Sequence, residues 1–267
     1  LKTINFVSGG QLGDVIHALF AVRNICHRNN AKANLYISDL SYNMVGCGNF
    51  TYDLEKTQKD MHKLMSTQDY INYFGIFPRD FKEDFINLSI WRDHIEQTKI
   101  NGYYSKCWTD ILKDTFTLDL ENDDFTPWIN VLEDDNQTKN KVLIHRSIHR
   151  HNTSFRWDFY LDKIDGDILF ITTNEQEWDI FPYKKQNMSL YLKDNIFDVA
   201  KAINSCKYFI GNQSSNFALA CSLNIPRLVE LSYLSDKFYS GEIKYFDNMS
   251  FFFNENDKHY SENCPFY

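Results

Sequence analysis

The sequence lacks the marks of several function classes. Its six cysteines, Cys26, Cys47, Cys107, Cys206, Cys221 and Cys264, form no Cys-x-x-Cys pair. In a chain of 267 residues that scatter reads as free thiols of a reducing compartment, neither a disulfide framework nor a zinc ligand set, so no metal is expected. Positive charge is not in excess either: the net charge is −8. Nonspecific binding to phosphate backbones needs a basic surface, so nucleic acid is not an expected partner. No apolar run approaches the length of a membrane span, and the first residues, Leu1 to Ile4, open no signal-peptide core. The expectation is a cytoplasmic protein without a membrane span, compatible with peripheral membrane contact. The abundance of Asn, Lys, Ile, Phe and Tyr fits an AT-rich genome, hence a bacterial or virus-infected host cell. There is no low-complexity tract and no repeat at a fixed period.

What is present is a globular composition, 43% apolar and 24% charged, with enough length for one large domain or two ordinary ones. The opening reads as strand, turn, helix, strand. Ile4–Val7 is apolar, Ser8-Gly9-Gly10 breaks it, and from Asp14 to Arg28 the residues Val15, Leu19, Val22 and Cys26 recur at helical spacing, with Ile16 and Phe20 beside them. Leu35–Ile37 is the next strand, which makes a βαβ unit with a parallel sheet and a right-handed crossover. Helices are expected over Leu54–Met65 and Ser105–Lys113, and strands over Phe85–Leu88 and Trp128–Val131. The aromatic stretch from Tyr70 to Phe85 reads as loop and core filler.

The acidic segment 119–127 and the polar segment 133–140 place a domain boundary near residue 135. After it the alternation is regular: strands at Val142–Ile144, Ile168–Ile171, Ser189–Leu192, Tyr208–Ile210 and Arg227–Leu231, with helices at Trp157–Ile164, Glu175–Phe181, Ile196–Ser205 and Ser214–Leu223. That order describes a second doubly wound half. The fold expected is α/β, two Rossmann-like domains facing a central cleft.

Four segments that follow predicted strands can carry chemistry. Gly9-Gly10-Gln11-Leu12-Gly13-Asp14 lets the chain turn tightly and a ligand approach a helix N-terminus, but its spacing is not Gly-x-Gly-x-x-Gly, so a dinucleotide is not indicated. Asp14 is either a favourable charge at a helix start or a general base at the sheet edge. His17, one turn on, either lines the same place or lies partly exposed. Gly211-Asn212-Gln213-Ser214-Ser215 leads into a helix whose free N–H groups suit a diphosphate, or whose serine is only a cap. His145-Arg146-Ser147-Ile148-His149-Arg150, followed by Asn152 and Arg156, clusters arginine at a strand end in an acidic protein; this suits a phosphate, or is a plain surface charge run. Glu175 and Glu177 either accept ribose hydroxyls or start a helix with favourable charge.

These segments carry a resemblance. SGGQLGDVIHALFA, Ser8 to Ala21, resembles the opening of the ADP-heptose heptosyltransferase-like family, glycosyltransferase family nine, which has the GT-B fold. FIGNQSSNFALACSLNIPRLVEL, Phe209 to Leu231, resembles that family's second signature. Two positions depart from it: Ala218 stands where the family commonly has His, and Gln213-Ser214-Ser215 where it has Asp-Ser/Thr-Gly. An arginine after the first strand of the second half, with a downstream Gly-x-x-Ser-Ser, is also similar to fucosyltransferase-like GT-B proteins.

The resemblance implies a glycosyltransferase that moves a sugar from a nucleotide-diphosphate sugar to a hydroxyl of a glycan or glycolipid acceptor, inverting, without metal or cofactor, in glycan or lipopolysaccharide-type synthesis. It implies an acceptor domain at 1–135, with Asp14 as base and Gly10, Gln11, Gly13 and His17 around the acceptor. A nucleotide-sugar domain follows at 136–267, with Arg146, Arg150, Glu175, Gly211, Asn212, Gln213, Ser214 and Ser215 around the donor. Two other readings use the same residues. One is a nucleotide-sugar epimerase or hydrolase of GT-B shape, with His17, His145 and His149 as acid–base groups; the other is a non-catalytic binding or scaffold protein.

Overall fold

A computed structural model describes residues 2–9, 11–38, 53–91, 108–119, 127–149, 151, 155–230 and 250–251. Among them, contacts divide the chain into two compact units, meeting in sequence at Val131 and Leu132.

The first unit is a four-stranded parallel sheet with strands β1 (Lys2–Gly9), β2 (Ala31–Ser38), β3 (Ile71–Ile76) and β4 (Ile86–Asn87), in the order β3-β2-β1-β4. Helix α1 (Leu12–Arg28) connects β1 to β2, and α2 (Leu54–Ser66) precedes β3. Helix α3 (Trp108–Thr115) packs on α1. The residues that the spacing predicts for the apolar face of α1, Val15, Leu19, Val22 and Cys26 with Ile16 and Phe20 beside them, are all inaccessible to solvent, and so is Ala21. Trp128 packs on this face: its ring meets Phe20 edge-on at 5.3 Å and its Nε1 donates to the Ile16 carbonyl at 3.1 Å.

Three expectations in this unit are corrected. Residues 71–76 form an edge strand and are not loop. Their burial does not alternate, because Tyr73 is 49% exposed with its ring folded over Gly75, where a Cβ would sit 2.7 Å from the ring. Trp128–Val131 is not a strand. The Gln68 side chain supplies what a neighbouring strand would have supplied: Oε1 accepts from the Asn130 N–H at 2.8 Å and Nε2 donates to the Asn130 carbonyl at 3.1 Å. The strand expected at Phe85–Leu88 shrinks to Ile86–Asn87, because the Asn87 side chain accepts from the Ser89 N–H at 2.9 Å and turns the chain into a 3-10 helix over Leu88–Ile90. The part of the expected α3 helix at Ser105–Cys107 lies outside the described residues.

The second unit holds β5 (Val142–His145), β6 (Ile168–Thr172), β7 (Met188–Leu192), β8 (Tyr208–Asn212), β9 (Arg227–Glu230) and β10 (Ser250–Phe251), all parallel, in the order β10-β9-β8-β5-β6-β7. Helices α4 (Trp157–Leu161), α5 (Glu175–Asp179), α6 (Ile196–Ser205) and α7 (Ser215–Ser222) alternate with the strands. β5 and β6 are buried along their whole length, which is why they read as unbroken apolar runs. Trp157, Phe155, Tyr160, Phe170 and Phe181 pack together against Ile144, Ile210 and Leu228 as the core of this sheet.

Counted within the second unit, the strand order is 6-5-4-1-2-3, that of the doubly wound dinucleotide-binding folds. The first unit has the start of the same pattern, 3-2-1-4. In such sheets, ligands bind outside the carboxyl ends of the strands where the winding reverses. Here that is between β1 and β4 in one unit and between β5 and β8 in the other. No helix among the described residues is long and apolar enough to cross a membrane.

Candidate functional site

At the carboxyl end of β1, the Gly9 N–H donates to the Ser89 hydroxyl at 3.0 Å, joining the end of β1 to the turn that follows β4. Beyond it α1 begins. Gln11 is its N-cap, and Asp14 Oδ2 accepts the Gln11 N–H at 3.1 Å. Asp14 therefore has the helix-start role that its position allowed, and it is buried, at 8% exposure. His17, one turn on, is buried as well and is not a partly exposed surface residue. Gly13 precedes Asp14 in the first turn, and Gln11 is exposed. Gln11, Gly13, Asp14 and His17 are thus one group at the start of α1, while Gly10 lies outside the described residues.

In the second unit the carboxyl ends of β5 and β8 lie side by side, with His145 opposite Gly211. Gly211 permits that approach, since a Cβ there would lie 2.9 Å from the His145 carbonyl oxygen. Asn212 follows, fully buried. Its Oδ1 accepts the Ser147 N–H at 3.0 Å. Its Nδ2 donates to the His149 carbonyl at 2.6 Å and to the Ser147 hydroxyl at 2.9 Å. Gln213 and Ser214 are half-buried, and Ser214 caps α7 by accepting the Phe217 N–H at 3.4 Å. Ser215 is the first residue of that helix.

Arg146 leaves β5 and turns across the sheet edge to the end of β9. Its Nε and Nη2 donate to Glu230 Oε2 and Oε1, each at 2.7 Å, a bidentate pair whose carboxylate has no exposure. Trp157 Nε1 donates to the same Oε2 at 2.9 Å. Two of the five N–H groups of the guanidinium are thereby used, and the side chain keeps 10% exposure.

Beside this pair stands a second buried polar group. His145 Nδ1 donates to the Ile171 carbonyl at 2.9 Å and lies 3.8 Å from Glu177 Oε2; Glu177 also accepts the Thr172 hydroxyl. Asn216, in the first turn of α7, donates to the same Ile171 carbonyl at 3.4 Å. Burial pushes the His145 pKa below its ordinary value, against the opposing pull of the Glu177 carboxylate and the Ile171 hydrogen bond. The Ile171 carbonyl can only accept, so Nδ1 carries a proton, and burial favours the neutral form of the ring.

The second group of predicted residues, Arg146, Gly211, Asn212, Gln213, Ser214 and Ser215, is gathered at the β5/β8 edge. Glu175 stands apart from it in the exposed first turn of α5, and it is Glu177 that turns inward. Arg150 and Asn152 lie outside the described residues. Sequence reasoning missed Glu230 and Trp157. The signal for Glu230 was there, a carboxylate directly after the apolar pair Leu228-Val229 at the end of a buried strand. Its partner is 84 positions away, and spacing cannot name it. Among the described residues, no group of three or more His, Cys, Asp or Glu side chains is arranged to hold a metal ion.

No family model matches the chain, and no curated protein matches its sequence. Solved structures do match. The dodecameric iron-containing heptosyltransferase TibC, in complex with ADP-D-beta-D-heptose, is similar with a TM-score of 0.57 at 12% identity, over 99% of this chain and 70% of that one; TibC comes from enterotoxigenic E. coli H10407. E. coli heptosyltransferase WaaC with ADP gives 0.52 at 9% identity, over 85% of this chain and 86% of that one. The glycosyl transferase family 9 protein from Veillonella parvula DSM 2008 gives 0.51 at 12%, over 85% and 80%. The likeness is one of fold: this chain has the α/β architecture of GT-B glycosyltransferases, family 9 heptosyltransferases among them.

Proposed function

We propose that this protein is a glycosyltransferase that takes a sugar from a nucleoside diphosphate and places it on an acceptor hydroxyl. The observation that carries the reading is the β5/β8 edge. The Arg146 guanidinium, the Asn212-supported loop and the start of α7 converge there, at the winding reversal of a sheet in the dinucleotide-binding order. The N–H groups opening α7 and the unused N–H groups of Arg146 are donors suited to diphosphate oxygens. TibC and WaaC, similar in fold, are described with ADP-D-beta-D-heptose and with ADP, which supports the same ligand class here.

In this reading Asp14 takes the proton of the acceptor hydroxyl, and that oxygen attacks the anomeric carbon. The bond from the anomeric carbon to the diphosphate oxygen breaks on the opposite face. The configuration inverts and the leaving diphosphate carries away the electron pair. Arg146 and the α7 N–H groups stabilise the charge that grows on it, which is where such groups lower a barrier most. Gln11, Gly13 and His17 line the acceptor side, and Gln213, Ser214 and Ser215 the donor side. Asp14→Asn keeps the shape of the helix start and removes the base. Transfer should fall by about 100-fold or more in product analysis, with donor affinity unchanged. Unchanged turnover would remove Asp14 from the mechanism.

A second reading is favoured by one contact. Asp14 Oδ2 is bonded to the Gln11 N–H, as a plain helix-capping residue would be. A protein that binds the donor and does not turn it over would use Asp14 in that way alone. Donor binding without product across an acceptor panel would select that reading.

A further inference from the structure

Asn212 is an amide buried at the end of β8, and its hydrogen bonds all leave its own strand for the loop that follows β5. Its orientation is fixed by chemistry. The Ser147 N–H can only donate, so the atom it meets at 3.0 Å is Oδ1. The carbonyls of His149, at 2.6 Å, and of Ser147, at 3.3 Å, can only accept, so the atom facing them is Nδ2. The loop closes on itself around this amide: the Ser147 hydroxyl donates to the His149 carbonyl at 3.2 Å, and His151 Nε2 meets the Ser147 carbonyl at 2.6 Å. The preceding residue, Gly211, lets β8 come close enough to β5 for the amide to reach. A side chain needed only to fill the edge of the core would not require a donor and an acceptor at opposite ends of one planar group.

We propose that Asn212 is a positioning residue. It holds the loop from Arg146 to His149 in the one shape that presents the Arg146 guanidinium, already fixed on its other side by Glu230, to the diphosphate of the donor. It acts on the ligand through the loop and does not touch it. This inference rests on the donor reading given above. An aspartate at this position would keep the acceptor for the Ser147 N–H and set a carboxylate oxygen against two carbonyls, so Asn212→Asp opens the loop with almost no change in volume.

The test combines two measurements on the full chain and its Asn212→Asp and Asn212→Ala variants. Hydrogen exchange of the peptide covering residues 146–151 should quicken in both variants. Calorimetric titration with ADP, UDP and GDP should show the diphosphate bound by wild type losing about tenfold or more in affinity. The corresponding nucleoside alone should bind as it does to wild type. Unchanged exchange in the loop would overturn the inference, and so would equal losses for nucleoside and diphosphate, which mark a general loss of structure. If the Asn212 variants do not fold, Ser147→Ala removes from the loop side the hydroxyl that accepts from Asn212 Nδ2 and donates to the His149 carbonyl, and should move both readouts in the same direction. Wild type binding none of the three diphosphates would overturn the donor reading and, with it, the ligand half of this inference. The exchange rates would then still decide whether Asn212 holds the loop.

Discussion

Glu230 sets the character of Arg146. A guanidinium at a sheet edge is a mobile charge unless something orients it, and here a carboxylate with no solvent exposure does so through two bonds of 2.7 Å. Removing one partner of such a pair leaves a charge without compensation in a desolvated place, which costs about 3–5 kcal/mol. Glu230→Gln should lose stability of that order in urea unfolding, while Glu175→Gln, exposed in the first turn of α5, should stay within about 0.5 kcal/mol of wild type. His145 makes a pH-dependent contribution whose sign follows from its burial. Its folded pKa lies below the ordinary 6.5, so on acidification the unfolded chain takes up this proton first. The stability it contributes is complete above about pH 6.5 and is lost as pH falls towards the folded pKa, with a slope of at most about 1.4 kcal/mol per pH unit. Unfolding free energies between pH 7 and 5 should therefore fall less steeply for His145→Gln than for wild type. Parallel curves would place the acid sensitivity elsewhere. At this scale the sequence located residues better than roles. Arg146 and Asn212 were legible as polar residues closing apolar strands, whereas their partners Glu230, Ser147 and His149 come from pairings across the sheet that no local spacing encodes.

Helices and strands were legible where burial is one-sided or complete. The helix at Ile196–Ser205 has the bounds its apolar spacing predicts, because Asn195 ends the extended chain by accepting the Asp198 N–H at 3.0 Å. Replacing that cap should cost about 1 kcal/mol, so Asn195→Ala should lower the urea midpoint without changing the slope of the transition. An unchanged midpoint would mean that the helix is held by packing alone. The elements that were misread are those whose hydrogen bonds or burial come from far away. β3 is an edge strand whose tyrosine turns back over a glycine and erases the alternation. Trp128–Val131 has the apolar look of a strand, but its backbone groups are taken by the Gln68 side chain and by the Tyr70 hydroxyl, which donates to the Trp128 carbonyl at 2.6 Å. Side chains acting as backbone partners leave no periodic trace.

For the whole molecule, the alternation of strands and helices after residue 140 already implied a parallel, doubly wound sheet, since short right-handed crossovers allow little else. What alternation alone could not give is the strand order. It depends on which neighbours the crossovers choose, and it is the order that puts the winding reversal between β5 and β8, the edge proposed to bind the donor. The claim on which the account rests is that this edge binds a nucleoside diphosphate through Arg146. The most direct measurement is a thermal-shift screen of wild type and Arg146→Ala against nucleoside diphosphates and their sugars, because a ligand that binds only the folded chain raises its apparent stability. The account predicts a rise in melting temperature with at least one of them, by several degrees at saturating concentration, and its loss in the variant. No rise with any of them, or the same rise in Arg146→Ala, would contradict it.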